Sequence, residues 1–237
     1  MKISILTLFP EMFAGPFDYS IVKRAKEKGL VEIEFINIRD FGEGKHKIVD
    51  DTEYGGGIGM LMRVDIIHKA IQAAKNSFSQ QSNNETIKQS VVLLSAAGKT
   101  FKQTQAKEFS KLDHLILICG HYEGIDDRIK KYIDEEVSIG DFVLTGGEIP
   151  AMLIADSVTR LIKDVLPEGA TEDESFSEQN GEKLLEYPHY TKPQEYDEQK
   201  VPEVLLSGDH KKIATWRHQR AKERTTAIRP DLLKKEE

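Results

Sequence analysis

The 237-residue sequence contains a single cysteine, Cys119, so no disulfide can close within the chain and a cysteine-based zinc cluster is disfavoured. Cys119 follows the apolar run Leu115–Ile118 and is expected to be a small buried side chain. No apolar run is long enough for a membrane span. Phe9, Pro10 and Glu11 end the apolar start at Leu8, and no small-residue cleavage site follows. That start is expected to be the first strand of a cytoplasmic protein. Two nucleotide signatures are missing as well. There is no Gly-x-Gly-x-x-Gly after a strand, which disfavours a nicotinamide or flavin dinucleotide. Gly98-Lys99-Thr100 ends as a phosphate-binding loop would, but Leu93 stands where its first glycine belongs. Gly42-Glu43-Gly44-Lys45 is followed by His46 instead of Ser or Thr and fails too. Net positive charge is also lacking. The formal charge of −7 argues against indiscriminate coating of nucleic acid.

The charge is unevenly spread, however. Between Asp164 and Glu186 stand eight acids and one base; between Lys211 and Arg229 stand seven Lys or Arg and one acid. A basic stripe in an acidic protein reads either as a solvated helix face or as a local nucleic-acid site. With Trp216 and His218 among the bases, the C-terminal part reads as a small, helical, basic second domain. The acidic run before it reads as a linker.

Periodicity gives a β-α-β start: a strand over residues 1–8, a helix strongest over 19–28 with Gly29 after it, and a strand over 31–38. Residues 39–59 hold six glycines and are expected to be a long loop, either flexible or presenting backbone N–H groups to a polar ligand. A helix is expected over 64–75 and a mobile polar insertion over 76–89. Strands at 91–94 and 113–118 follow, with helical signal reaching Ser110 after the first and a helix over 125–132 after the second. An apolar helix over 151–166 follows Pro150.

Three strand–turn–helix corners stand out, at 94–100, 118–125 and 139–150, each carrying glycine. Taken singly, each is as compatible with a structural turn as with a ligand. Together they point to one pocket at the carboxyl ends of a mostly parallel sheet, holding a nucleoside-like ligand.

The segments Tyr54–Met60, Cys119–Arg128, Ser138–Pro150, Leu185–Pro193 and Val204–His210, in this order, closely resemble the bacterial tRNA (guanine-N1)-methyltransferases of guanosine 37. The resemblance covers nearly the whole chain. It implies an α/β fold with a deep trefoil-knotted (SPOUT) methyltransferase domain at 1–167, a linker at 168–186 and a small, mostly α-helical tRNA-binding domain at 187–237. It also implies a homodimer with a composite active site. S-adenosylmethionine would be bound by Leu93, Leu94, Ser95 and Ala96 of the first corner. Gly120, Tyr122, Glu123 and Gly124 of the second would share it. The third would add Ile139, Gly140, Phe142, Leu144, Gly146, Gly147 and Pro150. The family's arginine matches Arg160. Its catalytic aspartate, which directly precedes Ser-Phe, falls at Glu174 by register or at Asp173 by residue type. Such a carboxylate takes the N1 proton, and no metal is required by that scheme. Departures from the family pattern are Ala96-Ala97 in place of Pro-Gln and Phe142 in place of a frequent tyrosine; 76–89 and 180–183 look like insertions. A non-catalytic RNA-binding protein and a methyltransferase for another RNA are the alternatives.

Overall fold

Strand β1 (Lys2–Thr7) is buried along its whole length, and the main sheet is built outward from it. It pairs in parallel with β2 (Glu32–Asn37) on one side and β6 (His114–Cys119) on the other. Beyond β6 lie β5 (Gln89–Thr100) and β7 (Glu135–Ser138), giving the order β2-β1-β6-β5-β7. All four pairings are parallel. Successive side chains of a strand face opposite ways, so each central strand feeds two cores. On one face Ile3, Ile5, Leu115 and Leu117 pack with α1 (Ser20–Glu27) and α4 (Glu148–Thr159). On the other, Leu6, Ile116 and Ile118 pack with Ile66, Ile67, Ala70 and Ile71 of α2 (Val64–Gln81). Burying each such side chain contributes about 1.5–3 kcal/mol. The fold is therefore α/β. A computed structural model, it describes residues 1–81, 87–179 and 181–233, and divides into two units, Met1–Leu166 and Pro167–Glu237.

The early β-α-β order is as the periodicity predicts, and Gly29, at φ +68°, follows α1 in the left-handed conformation. Several expectations are corrected. The helix expected to stop at 75 continues to Gln81. Its polar residues are anchored by tertiary contacts: Lys2 Nζ donates to Ser77 Oγ, and Phe78 lies on the His114 ring, 4.6 Å between centroids. Residues 82–86 of the expected insertion lie outside the described residues, as does Asn180 of the second. The expected long loop contains a hairpin, β3 (Asp50–Thr52) with β4 (Met60–Met62). The first corner is not a strand end. After Leu94 the chain bulges, and Lys99 and Thr100 pair again with Val137 and Ser138 of β7 before α3 (Gln103–Phe109) begins. Residues 125–132 form only a 3₁₀ turn, Asp127–Lys131, whose start Asp126 caps by accepting from the Arg128 N–H. The apolar helix begins at Glu148 and ends at Thr159, not Leu166; i→i−3 bonds from Leu161 and Ile162 tighten its end, and Asp164 turns left-handed at φ +67°.

At the start of the sheet lies a buried polar cluster. Ser4 Oγ donates to Glu34 Oε2, so the 2.9 Å contact with His114 Nε2 must be donated by the imidazole, leaving Nδ1 unprotonated. Burial, reinforced by the Lys2 charge, pushes the His114 pKa down to about 4. Both Ser4 and His114 are wholly buried, so this serine–histidine contact is structural.

The second unit contains two short hairpins, β8 (Glu178–Gln179) with β9 (Glu182–Lys183) and β10 (Glu195–Tyr196) with β11 (Gln199–Lys200). Helices α5 (Glu203–Leu206) and α6 (His210–Ile228) follow. Asp209 caps α6 by accepting from the Lys212 N–H. Helix α6 runs unbroken for 19 residues and is followed by a 3₁₀ turn, Pro230–Leu233.

Candidate functional site

A cleft of about 330 Å³ opens where β6 and β7 end and β5 bulges after Leu94. It is the point at which the three glycine corners meet. Leu93, Leu94, Ser95 and Ala96 line it from the first; Gly120, Tyr122, Glu123 and Gly124 from the second; Ile139, Phe142, Leu144, Gly146, Gly147 and Pro150 from the third. Gly140 does not line it. This glycine, at φ +147°, lies beneath the Phe142 ring, where a Cβ would come within 2.6 Å of Cε1.

The corners are locked to one another through their backbones. The Gly147 N–H donates to the Gly120 carbonyl at 2.8 Å, and His121 pairs with Gly146 in an isolated antiparallel bridge. Glycine at 147 is demanded by close approach: a Cβ there would lie 2.6 Å from Cys119 Cα and 2.9 Å from Gly120 N. Strand β4 runs beside the second corner, with Glu123 N–H donating to the Met60 carbonyl and Met62 N–H to the Gly124 carbonyl. The glycine-rich loop 53–59 is thereby brought next to Glu123, whose Cγ would touch a Cβ at Gly59. Tyr54 and Ile58 on that loop are almost fully exposed.

Two residues beside the cleft fall outside the set that the resemblance assigns to the cofactor, although His121 stands within the second corner. Arg39 Nη2 donates to the Tyr122 hydroxyl at 3.4 Å, steadying a tyrosine whose φ is +58°. His121 lines the cleft, and its Nδ1 is buried without a partner among the described residues. Gly42-Glu43-Gly44-Lys45 fails as a phosphate loop, and nothing else in the sequence marks the nearby Arg39 as adjoining position 122. Cys119, beneath the corner, is wholly buried; burial, with the Glu148 charge added, pushes its thiol pKa well up.

Arg160 is the C-cap residue of α4. In the second unit Asp173 is exposed and Glu174 half-buried. They lead into a turn in which the Glu174 carbonyl accepts from the Ser177 N–H and hydroxyl, and Phe176 N–H donates to the Leu184 carbonyl. Helix α6 buries only Ala221 and Thr225 among its described residues. Lys211, Lys212, Arg217, Arg220, Lys222 and Arg224 are all exposed on it. The Arg217 guanidinium lies over the Tyr187 ring at 4.8 Å and that of Arg220 over Trp216 at 5.8 Å. A helix so poorly buried and so basic presents charge together with flat aromatic faces. Among the described residues, no helix is long and apolar enough to cross a membrane.

The family model described as tRNA (Guanine-1)-methyltransferase TrmD matches residues 1–235. A tRNA (guanine-N(1)-)-methyltransferase of Dictyoglomus turgidum is 52% identical over 236 residues, covering 99% of this chain and 91% of the relative. Proteins of the same description from Carboxydothermus hydrogenoformans and Clostridium beijerinckii are each 53% identical over 238 residues, covering 99% of this chain and 88% and 93% of theirs. With the match running through both units and all three corners, the chain belongs to the tRNA (guanine-N1)-methyltransferase family.

Proposed function

We propose that this protein transfers a methyl group from S-adenosylmethionine to N1 of guanosine 37 in tRNAs carrying guanosine at position 36, in the cytoplasm and as a homodimer. The observation that carries the reading is the cleft: it is walled by the same residues, Gly140 apart, that the family resemblance assigns to the cofactor. The residues present fit a bent nucleoside ligand. Gly146 and Gly147 offer bare backbone, Tyr122 and Phe142 offer half-exposed rings, Glu123 offers a carboxylate, and His121 holds a buried nitrogen without a partner. When bound, the cofactor supplies an electrophilic methyl group on its sulfonium.

The chain's own residues supply the rest. Guanine N1 carries a proton and attacks only as that proton leaves. In this reading a carboxylate at Asp173 or Glu174 removes it as general base. Negative charge then gathers on O6, where the Arg160 guanidinium stabilises it. The second unit, residues 187–237 with the acidic linker 168–186, holds the tRNA through the bases of α6, which meet phosphates and set register. The hydrogen bond between Gly147 and Gly120 supports a deep trefoil knot, since it draws the segment after β7 back against the loop after β6. Exposed Ile149 and Leu153 on α4, with Val143 before it, support a second copy packing there.

The test is transfer of a labelled methyl group to a tRNA transcript with guanosines at 36 and 37. Label should appear at N1 of guanosine 37 and vanish when that base is replaced. Cofactor binding without transfer to any such transcript would reject the reading in favour of a non-catalytic RNA-binding protein. Label appearing only in another RNA would redirect it. Asp173→Asn and Glu174→Gln, made separately, identify the base: one should lower kcat by about 10²-fold or more, and near-wild-type rates in both would reject the assignment.

A further inference from the structure

The segment Leu185–Pro193 is rich in rings and has no part in the scheme above. Its first half is a strap laid along α6 in the opposite direction. The Leu185 N–H donates to the Thr225 hydroxyl at 2.8 Å and Arg224 Nη1 to the Glu186 carbonyl at 3.1 Å. Farther along, Arg217 lies over Tyr187, and Tyr190 meets Trp216 at 6.3 Å between centroids, tilted by 56°. Helix positions three, four and seven apart share a face, so Trp216, Arg217, Arg220 and Arg224 make one stripe along the strap. The rings on it are not equivalent. Tyr187 is half-buried, with Arg217 over it and the His189 ring 4.7 Å away, and it holds the strap to the helix. Tyr190 comes at the end and remains 49% exposed. The cations are not equivalent either. Lys212 is paired with Asp209, Arg220 with Glu223 and Lys222 with Glu182. Arg217 has no ion-pair partner among the described residues, and the Tyr187 ring supports its guanidinium.

We infer that Tyr190, backed by Trp216, is a stacking platform for one unpaired base of the tRNA, and that Arg217 takes a phosphate beside it. A base inside a duplex has both faces covered by its neighbours, whereas an unpaired base offers a face to a ring. The ring that the packing of the strap leaves over is Tyr190. Trp216 supports it, and Arg220, 5.8 Å from the Trp216 centroid and already neutralised by Glu223, steadies that indole. Every base brings a phosphate with it, and the unpaired charge of Arg217 is the complement to that phosphate. An acidic protein surface would use the cation and leave the ring idle. The second unit would thus grip its RNA in two ways, by charge along the backbone and by a neutral stack on one base. The two differ in their response to salt, because stacking releases no counterion. This inference rests on the tRNA reading proposed above and deepens it.

The test is filter binding of the full chain to tRNA transcripts with guanosines at 36 and 37, across a salt series. Tyr190→Leu keeps apolar bulk and loses the ring. It should weaken binding about tenfold at every salt concentration and leave the slope of log affinity against log salt unchanged. Tyr190→Phe should restore the affinity. Arg217→Met keeps a stem over Tyr187 and should lower the slope by about one. Abasic sites placed singly at the unpaired positions of the transcript should include one that weakens wild-type binding about tenfold and weakens Tyr190→Leu no further. Trp216 is the sole tryptophan, so its fluorescence in wild type gives a reading that needs no variant. The intact transcript should quench it, and the transcript with that abasic site should quench it less. Wild-type affinity in Tyr190→Leu would overturn the inference, and so would abasic losses that are equal in both proteins at every position. Either result, with wild type still transferring methyl groups, leaves the proposed function standing. Wild type binding no transcript at any salt concentration would defeat the tRNA reading, and this inference with it.

Discussion

Single atoms decide much of the behaviour at the three corners. Gly147 has no room for a Cβ, because the atoms it would meet are backbone. Gly147→Ala should cost about 1–3 kcal/mol of stability, read by urea unfolding, and should abolish S-adenosylhomocysteine binding by prising the second and third corners apart. His114 governs a different property. The unfolded chain protonates it near the ordinary value of 6.5, the folded chain only near 4. Between those values the unfolded state binds more protons, so stability is complete above pH 6.5 and falls as pH drops towards 4, by roughly 3 kcal/mol at most. Thermal melts at pH 7 and pH 5 should show the loss, and His114→Gln should flatten it. None of these residue contacts could be read from the sequence. His114 and Ser4 stand 110 positions apart, and a pair of adjacent glycines does not say which neighbour presses on them.

Elements were more legible, and their ends less so. The apolar runs at 1–8 and 113–118 are strands because both faces of a central parallel strand are covered, which leaves continuous apolar sequence, while the period-two run at 31–38 is the half-buried edge strand β2. The departures share a physical cause. Residues 76–81 are polar yet helical because Ser77 and Phe78 find partners at Lys2 and His114. The strand after Leu94 resumes because Gly98 lets the chain lie against Glu136 and Val137, where a Cβ would be 2.5 Å from the Val137 nitrogen. Tertiary packing overrode local propensity in each case. The convergence of the corners was legible because turns after parallel strands lie on one edge of the sheet, and the first corner, a bulge within β5, meets the other two there. Helix α6 carries its own prediction. Reversing Arg217 or Lys211 to Glu should weaken tRNA binding about tenfold and lower the slope of log affinity against log salt by about one for each phosphate no longer neutralised. Filter binding across a salt series measures both.

For the whole molecule, the two units predict two kinds of ligand response. A cleft walled largely by backbone, rings and apolar side chains should bind S-adenosylhomocysteine with far less dependence on salt than tRNA binding through exposed bases, which should be steeply salt-dependent. If the α4 face packs on a second copy, Leu153→Asp should give monomers in sedimentation and lose methyl transfer; a monomeric variant with full activity would reject the composite site. Overall acidity concealed the basic helix, and only the distribution of charge along the chain revealed it.

The Thr7 hydroxyl, at the end of β1, donates to Glu148 Oε1 at 2.8 Å, a bond that spans 141 residues of sequence. A ribosome needs on the order of 10 s to add that much chain. Throughout that interval β1 has emerged but the carboxylate that meets its last residue does not yet exist. The cleft, whose third corner runs to Pro150, therefore cannot be completed early in synthesis, and a growing chain released before Glu148 should have no grip on the methyl donor. Protection of the Thr7 end of β1 from hydrogen exchange should correspondingly be among the last to appear during refolding.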